Sequence, residues 1–336
     1  MNIYISMPDT ERMATFITPR SLKMLQAQGN VTRNTLDRNL TADELVCEAK
    51  DADVIVCSWG TVTFTKELVE KLPNLKIIAY TAGSMSSVIE SDSFDTGVLA
   101  LTGNYIFAKS VAEGCIAYML CALRKIEKYM NIVRSGGWIG DIFYNRGLLG
   151  KKIGLIGFGE IAKQLVGLLK PFDVEILVNS GHLTESEAEH YGVKSATREE
   201  IFSECDVVSI HLALSEKTRG TIDRRLLSML RPDSLLVNTA RGGVIDQEAM
   251  TEMLQQKRFW AALDVFYPEP LEVDHPLRNL ENTVVLPHMG GPTIDQREHI
   301  VMEFAKDLEA YKNGKPMKNQ FNPEDLSHMT VQRKKH

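Results

Sequence analysis

Lys152-Ile153-Gly154-Leu155-Ile156-Gly157-Phe158-Gly159-Glu160-Ile161-Ala162 is the stretch on which the reading of the whole chain turns. Its first five residues form a short apolar run of strand type, and Gly157 to Ala162 follow the spacing G-x-G-x-x-A. Gly157 permits a tight turn, Gly159 lets the backbone approach a pyrophosphate, and Ala162 is small enough for a helix to pack closely on the strand. A helix beginning near Glu160 points unpaired N–H groups and the positive end of its dipole at that anion. Alone, such a glycine turn is weak evidence, because many strand-to-helix junctions resemble it. The flanks carry more weight: Pro171 closes the helix, and Val174-Glu175-Ile176-Leu177-Val178 reads as the next strand. Strand, glycine turn, helix and strand together predict a dinucleotide-binding unit. Just past the second strand, where a carboxylate would hold the ribose, stand Asn179 and Ser180. A serine there can bond a ribose hydroxyl but does not repel a 2′-phosphate.

Outward from this unit the same rhythm continues. Runs at 152–157, 174–179, 206–211, 234–239, 259–265 and 283–287 supply six strands, the count of a full dinucleotide-binding sheet. Upstream, Ile3-Ser6, Asp53-Cys57, Lys76-Tyr80 and Val98-Thr102 alternate with helical patterns at about 20–28, 42–50 and 65–72. One long apolar helix is expected between the two series, from about Val111 to Val133. A last helix at roughly 293–312 follows the completed second sheet and is predicted to return to the first domain. The expected fold class is therefore α/β with two Rossmann-like parallel-sheet domains. A dinucleotide-binding domain, 104–291, is inserted into a flavodoxin-like substrate domain, 1–103 plus 292–336.

Bulk properties narrow the function. A length of 336 residues suits two domains, and a net charge of -6 gives no pull toward nucleic acid or anionic membrane. The basic tail Arg333-Lys334-Lys335 reads as a solvated end, and Met1-Asn2-Ile3-Tyr4-Ile5-Ser6 as a strand, not a signal peptide. The five cysteines are odd in number and form no CxxC pair, so free thiols in a reducing cytoplasm are expected. No spacing suits a metal, and none is expected.

Three later strands end in chemistry-bearing residues: Val237-Asn238-Thr239-Ala240-Arg241-Gly242-Gly243, Ala262-Leu263-Asp264-Val265-Phe266-Tyr267-Pro268-Glu269-Pro270 and Leu286-Pro287-His288-Met289-Gly290-Gly291-Pro292. Reduction of a 2-keto acid needs these types. A guanidinium grips the carboxylate and polarises the carbonyl, an imidazolium gives a proton to the oxygen, and a carboxylate favours the protonated ring. Singly, an arginine, a histidine or a glutamate at such places is most often structural or solvated. Three at strand ends around one expected cofactor point to an active site.

These segments, with Val111-Ala112-Glu113, Lys170-Pro171-Phe172, Asp206-Val207-Val208-Ser209-Ile210-His211-Leu212 and Thr218-Arg219-Gly220, resemble the D-2-hydroxyacid dehydrogenases over about residues 50–315. The resemblance implies hydride transfer between a nicotinamide cofactor and a small 2-keto acid or (R)-2-hydroxy acid. It assigns Arg241 to the substrate, Glu269 to the histidine, and His288 to proton transfer. Cofactor contacts would come from Gly157, Gly159, Glu160, Ile161, Ser180, His211, Leu212, Thr218, Thr239, Ala240, Arg241, Asp264, His288 and Gly290. The loop Gly83-Ser84-Met85 falls where the family binds the substrate carboxylate, so Ser84 and Met85 join Arg241 and His288 as substrate residues. Departures are Ser180 for the aspartate of NAD-preferring members, Ala213 for a proline and Phe107 for an asparagine. The stretch 179–183 offers no Arg or Lys for a 2′-phosphate, so NAD(H) is expected over NADP(H). A homodimer is expected from the long apolar helix and Trp138. The alternative is a nucleotide-sensing, corepressor-like binding protein on the same fold.

Overall fold

In the computed structural model, residues 1–138 and 145–329 are described. The first sheet comprises β1 (Asn2–Ile5), β2 (Asn30–Arg33), β3 (Val54–Cys57), β4 (Ile77–Tyr80) and β5 (Leu99–Thr102), all parallel in the order β2-β1-β3-β4-β5. This is the flavodoxin-like order. β3 and β4 are buried along their whole length, which is why they read as unbroken apolar runs. β2 escaped that reading, because Asn30-Val31-Thr32-Arg33 is a largely exposed edge with no apolar run. Helix Ile294–Lys312 buries Ile300, Val301, Phe304 and Leu308 in the same core as Ile3, Val56 and Ile77.

The second sheet comprises β6 (Lys152–Ile156), β7 (Glu175–Asn179), β8 (Lys194–Ser195), β9 (Val207–Ile210), β10 (Leu235–Asn238), β11 (Trp260–Leu263) and β12 (Thr283–Val285). They are parallel in the order β12-β11-β10-β9-β6-β7-β8, so the sheet has seven strands where six were expected. The extra one, β8, is a two-residue exposed edge, too short and polar for periodicity to register. Counted from the β8 edge the order is the dinucleotide-binding one, with the strand order reversing between β6 and β9. Ligands bind such sheets at the carboxyl ends beside that reversal.

The expected helix from Val111 to Val133 is in fact two, Asn104–Arg124 and Ile126–Arg134. Lys125 breaks it in the left-handed region, φ 52°, with its ammonium 4.7 Å from the centroid of Trp260. Asn104–Arg124 is long and apolar enough to cross a membrane by composition. Its Ala112, Cys115 and Met119 are instead fully buried in one cluster with Leu155, Leu165 and Val237. The chain divides into Met1–Ala108 with the residues from Pro292 onward, and Lys109–Gly291. The basic tail lies outside the described residues.

Candidate active site

Gly157 closes β6 with φ 97°, and a Cβ there would sit 2.6 Å from the carbonyl oxygen of His211. Only glycine satisfies both the dihedral and the contact. Gly159 caps helix Glu160–Leu169 without any side-chain hydrogen bond, and a Cβ on it would meet nothing within 4 Å. The first-turn N–H groups have no acceptor within the helix and no side-chain cap, the arrangement that suits a pyrophosphate. The Glu160 carboxylate accepts from Gln164 Nε2 at 2.7 Å, while Ile161 is half-buried and Ala162 fully buried.

At the end of β7, Ser180 Oγ accepts from the His182 N–H at 3.3 Å. Beside it, Asn179 Nδ2 donates to Ala196 O at 2.9 Å and Asn179 Oδ1 accepts from Arg198 Nε at 3.3 Å. Arg198 was missed by reading 179–183 alone. It opens the helix Arg198–Glu204, and a basic residue at the start of the helix after β8 was the available signal. After β9, burial pushes the His211 imidazole down to about 4, so the ring is neutral at pH 7, with Nε2 2.9 Å from Ser209 Oγ. Leu212 is half-buried, and Thr218 folds the following turn, donating to Ala213 O at 2.6 Å and accepting from Ser215 N at 2.8 Å.

The three strand ends β10, β11 and β12 meet. Asn238 ties the turn after β10, its Nδ2 donating to Arg241 O and its Oδ1 accepting from Ala240 N, both at 3.0 Å. A Cβ on Gly242 would collide with the Phe266 backbone, so glycine lets this turn lie directly on the loop after β11. Arg241 donates from Nη1 to Ala240 O at 2.6 Å, while its Nε is buried with no partner among the described residues. Burial pushes this guanidinium down, and the charge of Glu269 opposes that. A buried cationic N–H without an acceptor is costly unless a ligand supplies one.

Asp264, buried at the end of β11, accepts from the N–H groups of Met289 and Gly290, both at 2.8 Å. Burial pushes its carboxyl up against the opposing pull of those bonds. A Cβ on Gly290 would lie 2.8 Å from Asp264 Oδ2, so glycine is required for the grip. This clamp fixes the backbone beside His288, itself left-handed at φ 52°. The His288 ring is thereby presented to Glu269, with Nδ1 2.7 Å from Oε2. Glu269 Oε1 accepts the Phe266 N–H at 3.0 Å. Burial alone would raise the Glu269 carboxyl, but the hydrogen bonds from His288 and Phe266 hold it below its ordinary value. Glu269 is a carboxylate, and Nδ1–H donates to it, leaving Nε2 to exchange a proton. A cavity of about 480 Å³ adjoins the pair, lined in part by Phe266, Leu271 and Leu286. Thr239 Oγ1 lies 3.2 Å from the sulfur of Cys115, whose thiol burial pushes up to about 12.

Ser84 and Met85 belong to the other unit and follow β4. Ser84 Oγ lies 3.0 Å from Ser86 Oγ, and the Met85 N–H points at the thioether of Met329 at 3.2 Å.

Residues 116–290 match the model of the D-isomer specific 2-hydroxyacid dehydrogenases, NAD binding domain, more than half of the chain. The chain belongs to that family. This dehydrogenase is 31% identical over 273 residues to a hydroxypyruvate reductase of Thermotoga maritima, 80% of this chain and 88% of the relative. It is also 31% identical over 304 residues to a D-3-phosphoglycerate dehydrogenase of Methanocaldococcus jannaschii, covering 90% of itself but 57% of that longer relative. A phosphoglycerate oxidoreductase from Rhizobium etli shares the fold, with a TM-score of 0.80 at 21% identity over 96% of this chain and 99% of the other. The dehydrogenase is accordingly a nicotinamide-dependent oxidoreductase of the 2-hydroxy acid class. Within it, the structure joins Arg241, Asp264, Glu269, His288 and Gly290 in one loop cluster.

Proposed function

We propose that this dehydrogenase interconverts a small 2-keto acid and its (R)-2-hydroxy acid, with Arg241, Glu269 and His288 as the working side chains. The observation that carries the reading is the 2.7 Å His288–Glu269 bond beside an Arg241 whose buried Nε has no partner among the described residues. When bound, the nicotinamide supplies or accepts the hydride. Arg241 holds the substrate carboxylate through its planar fork and draws charge from the carbonyl. His288 Nε2 gives the carbonyl oxygen its proton, and Glu269 holds the ring and stabilises the imidazolium before transfer. Ser84 and Met85, in the loop after β4, are the further proposed substrate residues, and the Met85 N–H is taken by the Met329 thioether until a ligand replaces it. The turn Gly157–Ile161 takes the pyrophosphate, and Ser180, His211, Leu212, Thr218, Thr239, Ala240, Asp264 and Gly290 line the rest of the cofactor's path.

NAD(H) is the proposed cofactor over NADP(H), because Glu160 sits on the phosphate turn and 179–183 carries no Arg or Lys. Arg198 keeps the margin small, within roughly fivefold, the span of one exposed charge pair. The test is NADH and NADPH oxidation with glyoxylate, hydroxypyruvate, pyruvate and branched 2-keto acids, beside dissociation constants for both nucleotides. Ser180→Asp should widen the preference by weakening NADPH binding, and a clear NADPH advantage in the unmodified protein overturns it. Tight nucleotide binding with no keto acid reduced points to the corepressor-like alternative.

A homodimer is proposed, because Ile126, Met130 and Val133 are exposed along one face of Ile126–Arg134 and Trp138 is 80% exposed just beyond. Light scattering should give about twice the 37.7 kDa chain mass, and a monomer mass at micromolar concentration refutes it. We place the protein in the cytoplasm on its free cysteines, three of them buried. Recovery in a secreted or membrane fraction would contradict that.

A further inference from the structure

After helix Ile294–Lys312 the chain returns to the edge of the first sheet and runs back to the loop after β4. Along β5 the Thr102 N–H donates to Asn319 O at 3.1 Å and the Phe321 N–H donates to Ala100 O at 2.8 Å, around an antiparallel bridge between Leu101 and Gln320. Asp307 fixes the approach, accepting from the Lys318 N–H and from Asn319 Nδ2, both at 2.7 Å. Phe321 is buried, its ring centroid 6.3 Å from that of Phe94. Asn322 then opens a short 3-10 helix, Pro323–His328, its Oδ1 accepting the Glu324 N–H at 3.2 Å. That turn sets Leu326 and Met329 against the apolar cluster that contains Met85, Val88 and Ile89. All of these residues belong to the unit that carries the loop after β4.

Met329 meets that loop at the two residues assigned to the substrate. Its sulfur accepts the Met85 N–H at 3.2 Å and lies 3.9 Å from Ser84 Oγ. Met85 is fully buried, so its N–H needs an acceptor whether or not a ligand is bound. A neutral thioether is a weak acceptor, whereas a carboxylate oxygen makes a shorter and stronger bond to the same donor. The loop is anchored independently of Met329, because Thr102 Oγ1 lies 3.1 Å from both Ala82 O and Gly83 O. Exchange of one acceptor for the other therefore leaves the backbone that presents the N–H in place.

We propose that Met329 is an internal competitor of the substrate, so that the carboxyl-terminal segment sets the KM of the site. Its thioether holds the Met85 N–H in the free enzyme and has to leave before a carboxylate is gripped there. This rests on the 2-keto acid reading above, with Ser84 and Met85 as substrate residues. The test is steady-state kinetics of the full chain with whichever keto acid it reduces best. Met329→Ala removes the competitor and should lower KM about two- to tenfold, the exchange of one ordinary hydrogen bond, with kcat unchanged. Met329→Glu puts a carboxylate of similar reach on the same N–H and should raise KM roughly tenfold or more. Met329 is only half-buried, so both variants should fold, with melting temperatures and NADH dissociation constants near those of the unmodified protein. Loss of packing alone would move KM the same way in both variants, whereas competition moves it in opposite directions. A KM unchanged by Met329→Ala, or raised in both variants, overturns the proposal while keto acids are still reduced. If the unmodified protein reduces no keto acid, the parent reading fails first.

Discussion

His288→Asn is expected to lower kcat by about 10²–10⁴-fold, the usual contribution of a positioned general acid. NADH binding should stay near the unmodified value. His288 meets neighbouring residues mainly through Nδ1, and its backbone is held by Asp264 through the next two N–H groups, not through the ring. Asparagine is the better replacement, because position 288 is left-handed at φ 52° and asparagine tolerates that region. The half-exposed ring leaves no sealed cavity when removed, so thermal stability should change little. An amide cannot cede a proton at neutral pH, so the loss belongs to the chemical step. Steady-state kinetics with a reduced keto acid, beside a nucleotide dissociation constant, separate the two quantities. A variant that keeps most of its kcat removes His288 from proton transfer.

What could be read in advance divides along a physical line. β3, β4 and β6 are buried on both faces, so their apolar runs announce them without any knowledge of neighbours. β2 and β8 are exposed edges defined only by the strand they pair with, and no local pattern carries that. The break at Lys125 is likewise silent, since lysine has no breaker chemistry and the turn is settled by its surroundings. In the site, the residue types at the ends of β10, β11 and β12 were legible because α/β topology places ligands there. Their coupling was not. Gly242 on the Phe266 backbone, Asp264 on the N–H groups of Met289 and Gly290, and Arg198 on Asn179 all join separate loops. Arg198 had the most consequence, since it supplies a cation beside the ribose position that the local sequence lacks.

Arg241→Lys keeps the charge and should still lower kcat/KM by roughly 10–100-fold, the range of a lost charge-assisted hydrogen bond. The guanidinium spends Nη1 on Ala240 O and holds Nε in a buried position with no acceptor among the described residues, so the fork is oriented before any ligand arrives. An ammonium offers no planar pair of donors, and a flexible stem must be ordered at the moment of binding. Both parameters should therefore suffer: KM through the carboxylate, and kcat because charge developing on the carbonyl oxygen meets a less fitted partner. The substitution also brings a more strongly hydrated cation into a buried place beside Glu269, which favours local repacking. A nucleotide dissociation constant and a melting curve near those of the unmodified protein would show that repacking is not the cause. If Arg241→Lys moved neither kcat nor KM, the guanidinium would not be gripping the substrate, and the unpartnered Nε would need another ligand.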